Sequence, residues 1–311
     1  MERHRLPGYA GLALTAFVLL AASTAAAEGF APRLPLLAGT IIAGGITAGT
    51  EFTALRRTNT LALDRGDLGD GFAVVGGAAL TYVLSVDAGL GPVVASAAVG
   101  LAAGVALPRV DSAAYCGSFV GMVSPAVFSD LDLVVAAGLA AGALFVAGRG
   151  AFDGFGGKLG TTALFGCLVV AAGSGVSFAA GSVPPWGEAV LVVPVAAVAA
   201  AATVALGVRY GLGAVIASAV VGLAGGLVLP PIHPRGELLA TAAFCASFVG
   251  MVAPARIDGE RRVGAAGALS GVLLLAVSPV LAGAGGKLGT TAFVACLALV
   301  GADEAADRLA N

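Results

Sequence analysis

Apolar runs close to 20 residues long follow one another along this chain from Tyr9 to Val300, with short breaks between them. A run of that length is what an α-helix needs to cross the hydrocarbon core of a bilayer. Inside lipid every backbone N–H and C=O must be bonded within the protein, which leaves helices and closed barrels as candidates. A barrel needs short segments alternating apolar and polar residues, and the sequence lacks that pattern. Charged residues are 11% of the chain, against about 25% in soluble domains. The sequence therefore predicts an all-α polytopic membrane protein whose first partner is the lipid bilayer. A net charge of −2, with no basic cluster, excludes nucleic acid as a partner.

The second constraint is an internal duplication. Gly156-Gly157-Lys158-Leu159-Gly160-Thr161-Thr162-Ala163 returns unchanged, 129 residues later, as Gly285 to Ala292 around Lys287. These two copies hold the only lysines; every other strong base is arginine. Other stretches repeat as well. Leu90 to Leu101 matches Leu212 to Leu223, and Cys116-Gly-Ser-Phe-Val-Gly-Met122 matches Cys245-Ala-Ser-Phe-Val-Gly-Met251. A longer connection from Pro231 to Leu238 accounts for the change of offset from 122 (90 to 212) to 129.

Taken in order, residues 1–69 form two lead-in helices and a cytoplasmic loop, rich in arginine and aspartate from Arg56 to Asp70. Residues 70–182 are the first membrane repeat, 186–303 the second, and 304–311 a short cytoplasmic tail. Ala25-Ala26-Ala27-Glu28 has the form of a signal cleavage site, but the first helix is expected to be retained as the chain's own signal. Each repeat has five apolar segments, the third short and broken by glycine and proline. The total is about twelve transmembrane segments.

Five is odd, so the second repeat is expected upside down relative to the first. Arginine collects in cytoplasmic loops and tests this. The loop after the third segment holds Asp130 and Asp132 but no base in repeat one, and Arg256, Arg261 and Arg262 in repeat two. After the fourth segment the bias reverses, with Arg149 in repeat one and no arginine from Ala276 to Gly286. A cytoplasmic N-terminus puts these arginines inside the cell membrane and leaves Arg33 and Arg235 outside. A 5+5 inverted-topology repeat with broken helices is the organisation of many secondary transporters, which bind solute near the midplane where broken helices meet.

The lysine motif has chemistry suited to that place. Paired glycines permit unusual backbone before a helix, and a helix start offers free N–H groups and partial positive charge to an anion. The predicted substrate site is Lys158 and Lys287 with Gly157, Gly286, Thr161, Thr162, Thr290, Thr291, Ser118 and Ser247. A small carboxylate or oxyanion is the expected substrate, moved by alternating access with coupling to H+ or Na+ left open. The plainer reading of each lysine is a side chain snorkelling to the interface. The motif is no phosphate loop: Phe152 and Leu281 stand where that pattern needs its first glycine.

Two alternatives remain at this stage. One is an anion-selective channel, which also uses basic groups. The other is a carrier of soft metal or sulfur species held by Cys116, Met122, Cys245 and Met251, against which stands ordinary packing of cysteine and methionine. Asp153 and Glu51 are secondary candidates for a gate or proton site. Enzymatic activity is not expected, because no HExxH motif, Asp pair or histidine within a span is present. No cofactor is implied, and homo-oligomerisation is left open.

Overall fold

Glycine and proline set where several of these helices start. Gly91 and Gly213 hold equivalent left-handed conformations (φ 73° and 79°) immediately before two of them. Pro92 then occupies a first helical position, where its missing N–H costs nothing. The computed structural model describes residues 6–26, 33–56, 65–182 and 184–310. Arg57 of the first loop and the Ala27-Glu28 part of the cleavage-like stretch lie outside these residues.

The described residues form twelve α-helices and no strand. The lead-in helices are α1 (Leu6–Ala25) and α2 (Arg33–Leu55). The first repeat holds α3 (Arg65–Val86), α4 (Pro92–Ala106), α5 (Asp111–Val120), α6 (Leu131–Ala147) and α7 (Lys158–Ser174). The second holds α8 (Ala189–Val204), α9 (Ala214–Ile232), α10 (Gly236–Val249), α11 (Glu260–Val277) and α12 (Lys287–Ala310). Some boundaries differ from expectation. α3 begins five residues before 70, and α12 continues through the stretch read as a tail. α9 runs through Pro230 and Pro231 to Ile232, past the start of the connection expected at Pro231.

Equivalent helices keep equivalent neighbours. α3 packs on α5 and α6, and α8 packs on α10 and α11; α6 packs on α7, and α11 on α12. Contacts also join the repeats helix to counterpart, among them α4 with α9 and α7 with α12. α2 lies along α12, and α1 touches α6 and α7. Small residues make these approaches close, as expected where lipid supplies little hydrophobic drive between helices. A methyl on Gly117 would come within 2.7 Å of the Val74 carbonyl carbon on α3. One on Gly301 would come within 2.6 Å of the Ala43 carbonyl carbon on α2.

The exterior is apolar. Phe72, Val105, Val190 and Val198 are each about 70% exposed, which suits contact with lipid. Among the described residues, five helical stretches are long and apolar enough to span a membrane: Leu6–Ala25, Gly66–Val86, Trp186–Arg209, Ala214–Ile232 and Lys287–Ala310. The architecture is consistent with a helical membrane protein.

Ion pairs gather at helix ends. Arg149 at the end of α6 bonds Asp67 and Asp70 at the start of α3. Arg209 after α8 meets Glu260 at the start of α11 at 3.6 Å, and Arg235 before α10 meets Glu188 before α8 at 2.8 Å.

Candidate functional site

The first turns of α7 and α12 cross in backbone contact, and each motif glycine has a reason in that crossing. A methyl on Gly289 would sit 2.6 Å from Gly160 Cα and 3.1 Å from Gly160 N. Gly157 and Gly286 are left-handed (φ 81° and 80°) and cap the two helices. Gly156 lies against the last carbonyls of α10, and Gly285 against those of α5: a methyl on Gly285 would be 2.5 Å from Val120 O. Each helix start therefore meets the C-terminal end of a short helix from the other repeat.

The loops that deliver these starts are exchanged between repeats. Gly154 O accepts from Ala253 N at 2.8 Å, and Gly283 O accepts from the equivalent Ser124 N at 2.9 Å. Phe152 and Leu281 are the only described non-glycine residues with positive φ, at 53° and 50°. Both copies therefore hold a bulky residue in a conformation that side chains disfavour. Phe152 is locked there by stacking on Tyr9 at 4.9 Å and by Phe293 at 5.2 Å.

Where the backbones agree, the lysines differ. Lys158 Nζ pairs with Asp153 Oδ1 at 2.5 Å. The residue equivalent to Asp153 is Ala282, and Lys287 has no carboxylate. Its Nζ donates instead to Val280 O at 2.5 Å and Ser278 O at 3.0 Å. An ammonium has three protons, so one remains for a ligand.

The two lysines line different cavities. Lys158 faces a space of about 290 Å³ whose ionisable walls are Asp70, Asp111, Asp153, Arg109 and Arg149. With the lysine, that is three acids and three bases. Lys287 faces a space of about 180 Å³ in which it is the one ionisable group; Phe119, Phe248, Met122, Val93 and Thr241 supply other walls. Phe119 and Phe248 touch at 4.6 Å between ring centres. With Tyr115 (4.4 Å from Phe119) and Phe244 (4.5 Å from Phe248) they form a buried aromatic plug between α5 and α10.

The hydroxyls expected at the substrate are committed elsewhere. Thr161 and Thr290 donate to Gly157 O and Gly286 O, and Thr162 and Thr291 to Lys158 O and Lys287 O. Ser118 donates to Tyr115 O at 2.8 Å, so Ser96, 2.8 Å away, must donate to it. Ser247 likewise donates to Phe244 O, so Ser218 donates to Ser247 at 2.9 Å and Tyr115 OH donates to Ser218 at 3.0 Å. Of the six expected hydroxyls, Thr162 alone lines either lysine cavity.

The sulfur groups do not converge. Cys116 and Cys245 are fully buried, with thiols on Leu159 O and Leu288 O at 3.3 and 3.2 Å. Met122 lines the Lys287 cavity. Among the described residues, no three of His, Cys, Asp and Glu come together as a metal site.

Arg256 was read from sequence only as a loop charge. It donates through Nε to Asp153 O at 2.9 Å, grips both carboxylate oxygens of Glu51, and lies 4.6 Å over the Phe155 ring. The signal that could have found Phe119 and Phe248 was their identical place in the repeated Cys-to-Met motif; nothing in sequence joins Arg256 to Glu51. No family model, curated protein or solved structure matches the chain.

Proposed function

We propose that this chain is a secondary transporter that carries a small anion across the cell membrane by alternating access, with the crossed starts of α7 and α12 between its two access routes. The observation that carries the reading is the pair of cavities beside that crossing, each with one of the two lysines. One lysine is neutralised by Asp153; the other has no acid beside it and a spare proton donor. Lys287 is then the binding cation in this state, and Lys158 takes that role when the other side opens.

An inverted 5+5 arrangement of twelve segments is part of the proposal, and the contacts support it. Arg149 ties the start of α3 to the end of α6. The loop after α6 is tied through Asp153 to Arg256, just before α11, and Arg209 ties the start of α11 to the end of α8. So α3 starts where its counterpart α8 ends. Gly104 late in α4 meets Ile216 early in α9, and Gly226 late in α9 meets Val94 early in α4, as antiparallel counterparts must. The arginines at the Arg149, Arg256 and Arg262 end assign it to the cytoplasm, with the N-terminus.

The test is uptake of small anions into vesicles that hold the purified chain, with proton or sodium gradients imposed in turn. Lys287→Ala is expected to abolish uptake while eluting as a folded protein in detergent. Wild-type uptake by that variant would remove the proposal.

A further inference from the structure

We infer that the anion taken at Lys287 is a short monocarboxylate, one negative charge on a small apolar body. The inference rests on the reading of Lys287 as the binding cation and names what that cation holds.

Charge is the first argument. Lys287 is the single ionisable group on the cavity wall, with one proton still free. A dianion such as sulfate or a dicarboxylate would bring a second charge with no partner. An uncompensated charge away from water is strongly disfavoured. The Lys158 cavity cannot supply the missing base, since its three bases face three acids.

The walls are the second argument. An inorganic anion needs donors on several sides, and the donors here lie on one side, at Lys287 and the first turn of α12 from Gly286 to Gly289. Pro92, Val93, Phe119, Met122, Phe248 and Ala284 present carbon or thioether surface. The Thr241 hydroxyl is turned back onto Glu237 O at 2.8 Å. Such a surface favours a methyl or methylene tail.

Size is the third. A volume of about 180 Å³ is below the roughly 300 Å³ at which pockets begin to hold drug-sized molecules. A carboxylate with a few carbons fits; a membrane fatty acid does not. These arguments together predict a chain-length series. Each added methylene should tighten binding about fourfold, the equivalent of about 0.8 kcal/mol, until the cavity is full.

The experiment is calorimetric titration of the full chain in detergent with the sodium salts of acetate, propionate, butyrate, valerate and dodecanoate, and with chloride, sulfate and succinate. The expected result is affinity that climbs through the short acids, no binding of dodecanoate, and sulfate and succinate at least tenfold weaker than butyrate. Lys287→Met should lose all of it. Met122→Ala removes wall without touching the lysine, and should move the longest accepted acid upward by a carbon or more. Lys287-dependent binding that favours sulfate or succinate, or is flat along the acid series, overturns the monocarboxylate and leaves the anion transporter standing. Binding of no anion, or binding that Lys287→Met leaves intact, overturns both.

Discussion

Consider a single methyl added at the crossing of α7 and α12. In Gly289→Ala the new carbon would lie 2.6 Å from Gly160 Cα and 3.1 Å from Gly160 N. Carbon atoms pack best at about 3.5–4.0 Å, so the helices must part by roughly 1 Å. Both obstructing atoms are backbone, and no side chain can turn aside to relieve them. A gap of that size forfeits a quarter to a half of each dispersion contact along the crossing, and overpacking of this kind costs about 1–3 kcal/mol. Alanine returns up to about 1 kcal/mol through helix propensity. The net expectation is a loss of about 1–2 kcal/mol.

Gly160→Ala should match it, since its methyl meets Gly289 N at 3.0 Å and Gly286 O at 3.1 Å, with Gly289 Cα nearer still. Once the helices have parted for one methyl, the second finds much of its room made. The double variant should therefore cost less than the two losses together, by about 1 kcal/mol. Gly45 and Gly49 on α2 have no atom within 4 Å of an added methyl, and Gly45→Ala and Gly49→Ala serve as neutral or stabilising controls. The assay is reversible unfolding in mixed micelles as the denaturing detergent is raised. Crossing variants as stable as the wild type, or a strictly additive double variant, would refute the reasoning.

Two other perturbations follow from the contacts. Arg256→Ala should destabilise by about 1–3 kcal/mol, because the Glu51 side chain is only 13% exposed and loses a two-pronged partner; the pair is not fully dry, so the lower half of that range is favoured. Glu51→Ala added to it should recover part of the loss in the same unfolding assay, and a double variant no more stable than the single would argue against a desolvated carboxylate. The four native cysteines are buried, so a water-soluble maleimide should leave the folded wild type unlabelled. Ser129→Cys and Asp258→Cys, at equivalent exposed loop positions, should then label from opposite faces of sealed vesicles; labelling from the same face would remove the inverted arrangement.

How much of this could be read from the letters depends on how far apart the causes lie. Helix starts at Lys158 and Lys287 were legible, because paired glycines act on their own neighbours. So was an unusual backbone at the paired glycines, which the fold makes left-handed at Gly157 and Gly286. The need for glycine at 156, 160, 285 and 289 was not, since the obstructing atoms belong to the other repeat. The threonines misled for a related reason. A threonine inside an apolar helix meets its own i−4 carbonyl first, and a motif cannot reveal whether that bond is kept. Asp153 carried a real signal, because it had no counterpart. What it pairs with followed only once the loop before α7 was folded over Lys158.

The two repeats agree in backbone and disagree in charge, and that division has a mechanical meaning. Contacts that depend on glycine and carbonyl atoms are duplicated at the crossing, at the exchanged loops and at the strained Phe152 and Leu281. Under the proposed alternating access, a crossing built alike from both sides would let either repeat move against the other with the same contacts remade. The side chains break that equivalence. At the Lys158 end, the Arg256 guanidinium donates to the Asp153 carbonyl and pairs with Glu51 on a lead-in helix, while the Asp153 carboxylate pairs with Lys158. The second repeat, the loop and the lead-in helix therefore meet at charged groups. At the Lys287 end, the corresponding loop is held by backbone bonds, Ala282 N to Ala179 O and Gly181 N to Pro279 O. Ionic bonds are strengthened by dryness and weakened by water and salt, whereas a backbone bond carries no net charge to screen. In the proposed cycle, opening the Lys158 end would expose ions that water stabilises, and closing the Lys287 end would leave a lysine that must keep a partner. The proposed anion would supply that partner, so the occupied protein would close where the empty one resists. In this way the asymmetry of the charges, laid over the symmetry of the backbone, would couple movement to the presence of solute.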